Sequence, residues 1–417
     1  MKNCLVMLTK AFPFDKGEEF IENEVSILAK AFEKVIIIAT STADQAVQTR
    51  SVPENTSVFR IPASRIKRGI PAKAIKFLTF PNRSGCCGRS EKEAIGHSLR
   101  KRLYLAYFLS KSEEVYWEAS KILAGCGLEK YDGVTFYSYW FYDTAVAAVR
   151  LKNDCPAPIK RAVSRAHGYD LYSERNSLNY LPLREYLMEN ADMVYPCSQN
   201  GSNRLKKRYP EYSGKVETAY LGTGDRGLSP ESSGSEFHIV SCCYIVPVKR
   251  VELLAQALAV LKNSGLKLKW THFGDGDGLD ELKNYAADSL SFMECRFAGK
   301  VKNPELMEYY RNNPVDVFIN TSSSEGLPVS IMEASSFGIP TIATDVGGTG
   351  EIVRDGETGF LLKADISPEQ LADKIKQFAL LPEDKKKLLR KNCRSLWMSE
   401  FNAAGNYERF AKNIQPL

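Results

Sequence analysis

The feature that most limits what this chain can fold into is an alternation of short apolar strands with helical patterns, run through twice. After an opening strand at residues 1–9, β-branched or apolar runs recur at 35–39, 133–136, 160–164 and 193–196. Ile21, Val25, Leu28 and Phe32 fall on one helical face just before the second run. Residues 222–235 are then the most Gly/Ser-rich segment, and the pattern restarts behind it. Strands are expected at 237–241, 270–273, 295–298 and 315–320, with helices at 251–261 and 279–287. Alternation of this kind predicts an α/β protein with mainly parallel sheets. At 417 residues with 44% apolar content, the chain can build two domains, each with its own core.

The last expected strand leads into Asn320-Thr321-Ser322-Ser323-Ser324-Glu325-Gly326-Leu327-Pro328-Val329-Ser330-Ile331-Met332-Glu333-Ala334. Pro328 stands where a first helical residue tolerates a missing N–H. A helix that opens there leaves backbone N–H groups and a partial positive charge at its start, which suit a phosphate or pyrophosphate. Glu325 precedes the helix and Glu333 lies about two turns into it, roughly 9 to 12 Å away along the axis. A nucleotide diphosphate-sugar carries hydroxyl-rich rings on both sides of its pyrophosphate. One carboxylate can therefore hold the sugar and the other the ribose; the plain alternative is a turn residue and a solvated helix residue.

Glu325 and Glu333, in the setting Ser-Glu-Gly-Leu-Pro-Val-Ser-Ile-Met-Glu-Ala, resemble the signature of glycosyltransferase family 4. The run from Phe337-Gly338-Ile339-Pro340 through Asp345-Val346-Gly347-Gly348, Glu351-Ile352-Val353, Asp355-Gly356 and Gly359-Phe360-Leu361-Leu362 is similar to that family in the same order. The resemblance implies GT-B architecture: two Rossmann-like domains facing across a cleft, with a C-terminal helix crossing back. On this chain that means an acceptor-binding domain at 1–225, a nucleotide-sugar domain at 226–395 and a returning helix at 396–417. It also implies that Glu325, His167 and Lys249 are the catalytic set. Donor contacts would come from Arg250, Gly274, Gly276, Ser324, Gly326, Leu327, Pro328, Val329 and Glu333.

Lys249 and Arg250 lie in Ser241-Cys-Cys-Tyr244-Ile-Val-Pro247-Val-Lys249-Arg250, which is similar to the family's diphosphate-binding stretch. Lys249 fits it, but Tyr244 stands at the usual Arg position and Arg250 where Gly is more usual, so Arg250 is a candidate substitute cation. A cation here stabilises charge that grows on a leaving diphosphate. The turn Gly274-Asp275-Gly276-Asp277-Gly278 resembles the family's Gly-Asp-Gly turn beside the nucleotide; its acids are not at EF-hand positions. In the first half, Ser164-Arg165-Ala166-His167-Gly168-Tyr169-Asp170 looks like the family's His-Gly loop, which places His167 at the transferred sugar. Asp170 either contacts substrate or caps its loop. The loop 12–20, with only Gly17 where many relatives have a Gly pair, shapes the acceptor side.

Other chemistry is disfavoured. Gly222-Thr-Gly224-Asp-Arg-Gly227 fits a dinucleotide pattern by letters, but no amphipathic helix follows, so it reads as a linker and no nicotinamide cofactor is expected. Ten cysteines without Cys-x-x-Cys point to reduced thiols in a cytosol, and four histidines show no metal-ligand spacing. No cofactor or metal is expected. No apolar run approaches the roughly 20 residues of a membrane span, and no signal-peptide cleavage pattern is seen. Residues 60–111 carry thirteen Lys/Arg against two Glu, a net +11 in a chain of net +6. Leucines and aromatics among them, including Phe77, Phe80, Leu103 and Tyr107, suit an anionic inner-leaflet surface. No nucleic-acid module is seen. The expectation is a retaining, metal-independent hexosyltransferase, cytoplasmic and peripheral at the inner membrane face. It would move a sugar from a nucleotide diphosphate, UDP favoured, to a saccharide or lipid-linked acceptor in surface-polysaccharide synthesis. Alternatives are an epimerase or phosphorylase of the same architecture, or a non-catalytic nucleotide-sugar binder.

Overall fold

The computed structural model describes residues 1–14, 17–18, 20–79, 87–232 and 236–416, with the side chains of 72, 76 and 79 excepted. Asp15, Lys16 and Glu19 of the N-terminal loop, Phe80 and Arg83 of the basic segment, the Lys76 side chain, and residues 233–235 lie outside that description.

Two six-stranded parallel sheets carry the chain. The first contains β1 (Asn3–Thr9), β2 (Lys34–Thr42), β3 (Thr56–Pro62), β4 (Gly133–Ser138), β5 (Ile159–Ala166) and β6 (Met193–Pro196), in the order β3-β2-β1-β4-β5-β6. The second contains β7 (Phe237–Cys242), β8 (Leu268–Phe273), β9 (Glu294–Phe297), β10 (Val317–Asn320), β11 (Thr341–Thr344) and β12 (Gly359–Leu362), in the order β12-β11-β10-β7-β8-β9. Every residue of β1, β4, β10 and β11 is buried. Burial on both faces gives β1 and β10 near-continuous apolar runs, while β4 and β11 carry buried threonines as well. Edge strand β3 is mostly half-buried, so its sequence lacks that signal and no strand is expected there.

Helices of the first unit are α1 (Ile21–Ala31), α2 (Ala63–Thr79), α3 (Arg89–Ile95), α4 (Leu99–Leu123), α5 (Asp143–Asp154), α6 (Arg184–Asn190) and α7 (Gln199–Arg208). The second has α8 (Val251–Val260), α9 (Leu279–Ser289), α10 (Asn303–Asn312), α11 (Val329–Ser336), α12 (Thr349–Ile352), α13 (Pro368–Ala379) and α14 (Glu383–Leu396); α15 (Ala403–Asn413) closes the chain. One compact unit is Met1–Tyr220 with Ala404–Leu417, and the other is Leu221–Ala403.

The C-terminal helix is not continuous from residue 397. A π-helical turn, Trp397–Phe401, stays in the second unit, where the Trp397 indole donates to Thr223 Oγ1 at 2.8 Å. The chain rejoins the first unit from Ala404. There Phe410 and Ile414 enter the core beside Tyr137 and Tyr195. Arg165, fully buried, lies 4.0 Å from the Phe410 ring centroid and pairs with buried Glu24 of α1 at 3.1 Å. This pair binds β5, α1 and α15 together; breaking a buried pair from one side costs about 3 to 5 kcal/mol.

In the second sheet the chain runs outward from β7 to β9, then crosses to β10 and runs outward the other way. The turns after β7 and β10 therefore flank the point where strand order reverses, which is where open α/β sheets bind ligands. No helix among the described residues is long and apolar enough to cross a membrane.

Candidate functional site

Lys249 and Glu325 come from those two turns. The Lys249 ammonium donates to Glu325 Oε1 at 2.6 Å. The same oxygen accepts from Ser322 Oγ at 2.7 Å and Asn320 Nδ2 at 3.2 Å. Glu325 is buried while Lys249 keeps a quarter of its side chain exposed, so the pair stands at the mouth of the switch point. Thr321 Oγ1 bonds the carbonyls of Lys249 and Arg250 at 3.1 and 2.9 Å, and Ser323 N–H bonds that of Val248 at 2.8 Å. The two turns are thus laced into one surface.

Pro328 is the residue before α11 rather than its first member, with extended backbone, and no side chain caps the helix. Ser324, Gly326 and Val329 are half-buried around this start, whereas Leu327 and Pro328 are buried beneath it. Gly347, at φ 60, passes under the turn so closely that a Cβ would lie 1.9 Å from the Glu325 carbonyl oxygen. Gly348 N–H then bonds the Gly326 carbonyl at 2.7 Å. After β8, Gly274 and Gly276 adopt φ 146 and 150, and Cβ atoms there would meet the carbonyl oxygens of Cys243 at 1.8 Å and Ile245 at 2.5 Å. Glycine is therefore what lets the β7 and β8 turns lie against each other.

Glu333 sits on α11 with its carboxylate accepting from Asn303 Nδ2, at the start of α10, at 2.6 Å. Burial pushes its pKa up to about 7, against the lowering effect of the Asn303 bond. A carboxyl poised there gains from ligand hydroxyls that favour its ionised form.

Arg250 is placed differently from expectation. Its guanidinium donates to the carbonyls of Thr321 at 2.7 Å, Ala364 at 2.6 Å and Ser322 at 3.3 Å. Its backbone is left-handed, φ 47 and ψ 45, the conformation a glycine takes without cost. Arg250 braces the turn that carries Glu325, its guanidinium engaged by these three carbonyls. Tyr244 is 59% exposed.

In the first unit, His167 Nε2 lies 3.1 Å from the Tyr139 carbonyl, so that nitrogen carries the proton and Nδ1 is left as an acceptor. The ring stacks on Tyr139 at 4.8 Å between centroids, and burial with the nearby Arg165 guanidinium holds its pKa down to about 3. Asp170 is fully buried and accepts from the backbone N–H groups of His167 at 2.6 Å and Phe141 at 2.8 Å. Both oxygens are used, so Asp170 caps its loop; the alternative of substrate contact is set aside. Gly17 adopts φ 105 beside Glu18. Glu18 gathers the N–H groups of Lys10, Ala11 and Phe12 and the Trp140 indole. Sequence reading missed Glu18 and Trp140, as it missed Asn303, Asn320 and Ser322, because each acts through a partner distant in sequence or through a loop bond without a spacing rule. No group of three or more His, Cys, Asp or Glu among the described residues is arranged to hold a metal ion.

The chain is similar to several known proteins in sequence and in fold. WcaL of Salmonella typhimurium, whose name assigns it to colanic acid biosynthesis as a glycosyltransferase, is 23% identical over 60% of this chain. The alignment spans 63% of WcaL's own length. The UDP complex of Anabaena HepE superposes with a TM-score of 0.64 over 99% of both chains at 16% identity. Sucrose-phosphate synthase from Thermosynechococcus elongatus does so at 0.70 over 99% of this chain and 98% of its own, also at 16% identity. Residues 230–395, which carry Lys249, Glu325 and Glu333, match the family described as glycosyl transferases group 1, in a chain whose two α/β units have the GT-B fold.

Proposed function

We propose that the protein is a retaining glycosyltransferase that moves a sugar from a nucleotide diphosphate, UDP-linked, to a saccharide acceptor. The observation that carries this reading is the Lys249–Glu325 pair at the switch point, next to the uncapped start of α11. A diphosphate set there meets a cation and helix N–H groups, which take the role a metal has elsewhere. Glu325 holds the sugar hydroxyls and Glu333 the ribose. The bond from the sugar's anomeric carbon to the diphosphate oxygen breaks as the acceptor oxygen bonds that carbon from the same face. The acceptor proton passes to the departing phosphate. His167, neutral in the first unit, keeps Nδ1 as a hydrogen-bond acceptor for a saccharide hydroxyl brought to that unit.

The acceptor class is a lipid-linked saccharide for a cell-surface polysaccharide, a reading supported by the name of WcaL and by that of the lipopolysaccharide outer core galactosyltransferase WaaB, which shares the fold. UDP as the nucleotide is supported by the UDP bound in HepE. Docking of the chain on the anionic inner leaflet from the cytoplasmic side is part of the same proposal, supported by the cations of 60–111 and by Leu99, Leu103 and Tyr107, exposed one turn apart on α4. Incubation with a panel of UDP- and GDP-sugars tests the activity. Slow release of free nucleotide supports a transferase, a new sugar isomer indicates an epimerase, and binding without turnover indicates the binder that the exposed Tyr244 would suit.

A further inference from the structure

A diphosphate at the switch point brings several negative charges, and the cations already described do not match them. Lys249 is paired with Glu325, and Arg250 faces three carbonyls. The β9–α10 turn supplies another. Gly274 N–H bonds the Gly299 carbonyl at 2.9 Å, and Gly274 itself presses on the Cys243 carbonyl, so the turns after β9, β8 and β7 lie side by side. That arrangement carries Lys300 to Tyr244, with the Lys300 ammonium 5.9 Å from the Tyr244 ring centroid. Lys300 is exposed and, among the described residues, has no carboxylate or carbonyl partner, so its three donors are available. Three residues further on, Asn303 holds the Glu333 carboxylate. Lys300 therefore stands on the rim between the Glu333 end of the site and the Lys249 turn.

We infer that Lys300, seated on the face of Tyr244, is the second cation for the donor's diphosphate. The inference rests on the nucleotide-sugar reading above and assigns to it a contact on a different turn. Tyr244 acts as a positioning residue: its ring faces the ammonium with its negative quadrupole and narrows where the flexible side chain can lie. A lysine held near a partly solvated phosphate adds a charge-assisted hydrogen bond.

The test is calorimetric titration of the full chain and its variants with UDP, GDP, uridine and guanosine at fixed ionic strength. Using whichever diphosphate the wild type binds, Lys300→Ala should weaken it about tenfold, the order of one such contact, and leave the matching nucleoside unchanged. Tyr244→Phe, which keeps the ring, should match wild type, and Tyr244→Ala should fall between wild type and Lys300→Ala. Adding Tyr244→Arg to Lys300→Ala should restore diphosphate affinity, since it returns a cation to the same rim. Unchanged diphosphate affinity in Lys300→Ala overturns the assignment, as does an equal loss for diphosphate and nucleoside, which would mark a structural effect. A wild type that binds neither diphosphate overturns the nucleotide-sugar reading itself, an outcome distinct from failure of Lys300 alone.

Discussion

Burial pushes the Glu333 carboxyl of the folded chain up to about 7, from 4.5 for an unburied glutamate. Between those values the folded protein holds a proton that the unfolded chain has lost, so this residue makes stability fall as pH rises through that window. Ligand hydroxyls donate to the ionised carboxylate. Uridine affinity should therefore rise with pH up to about 7 and level off above it, and Glu333→Gln should remove the dependence. Uridine is the right probe because it carries no phosphate to titrate there; a flat wild-type profile would dissociate Glu333 from the ribose. Glu333→Ala should weaken UDP by about 1.5 to 3 kcal/mol, whereas Glu325→Ala should spare UDP and lower turnover. Arg250→Ala should destabilise the second unit by on the order of 2 kcal/mol through three lost bonds to carbonyls. Arg250→Gly should be milder by about 1 kcal/mol because it relieves the left-handed backbone, a ranking that denaturant unfolding can check. The placing of Glu325 before α11 and Glu333 within it can be read from sequence because their spacing is local, whereas the meeting of Lys249 with Glu325 joins turns 76 residues apart. The bracing work of Arg250 was not legible, since its partners at 321, 322 and 364 come from other turns.

At the scale of elements, most strands could be read because burial on both faces writes an uninterrupted apolar run. β3 and β12 escaped because an edge strand needs no such run, and β11 because its buried threonines interrupt it. The break at residue 402 escaped because the apolar spacing of Phe401, Tyr407 and Phe410 continues across it, while those side chains serve different cores. The turn after β10 depends on the glycine beneath it. Gly347→Ala should cost at least about 2 kcal/mol from left-handed strain plus the clash with the Glu325 carbonyl, and should lower turnover more than about tenfold by displacing Glu325. Gly356→Ala is the control: at φ 74 with open space around it, it should cost only about 1 kcal/mol and leave turnover unchanged. Equal turnover in the two variants would show that the close approach at Gly347 does not position the site.

Across the whole molecule, the basic segment is less free than its composition suggests. Arg65 pairs with Glu118, Lys73 with Glu114 and Lys111 with Asp143, all acids beyond the segment, and Arg102 donates to the Leu78 carbonyl. Lys67, Arg68 and Arg100 remain exposed without such partners among the described residues. Changing these three to Glu should release the chain from anionic vesicles in co-sedimentation. Changing Leu99, Leu103 and Tyr107 to Ser should remove the part of binding that survives high salt. Equal attachment to neutral vesicles would contradict the electrostatic share. The central claim, that the second unit holds a nucleotide diphosphate-sugar for transfer, is tested most directly by free-nucleotide release from a panel of UDP- and GDP-sugars. The account predicts slow release from at least one donor by the wild type, reduced on the order of 100-fold in Lys249→Ala and strongly reduced in Glu325→Ala. Release from no donor, or the same rate in all three proteins, would contradict it.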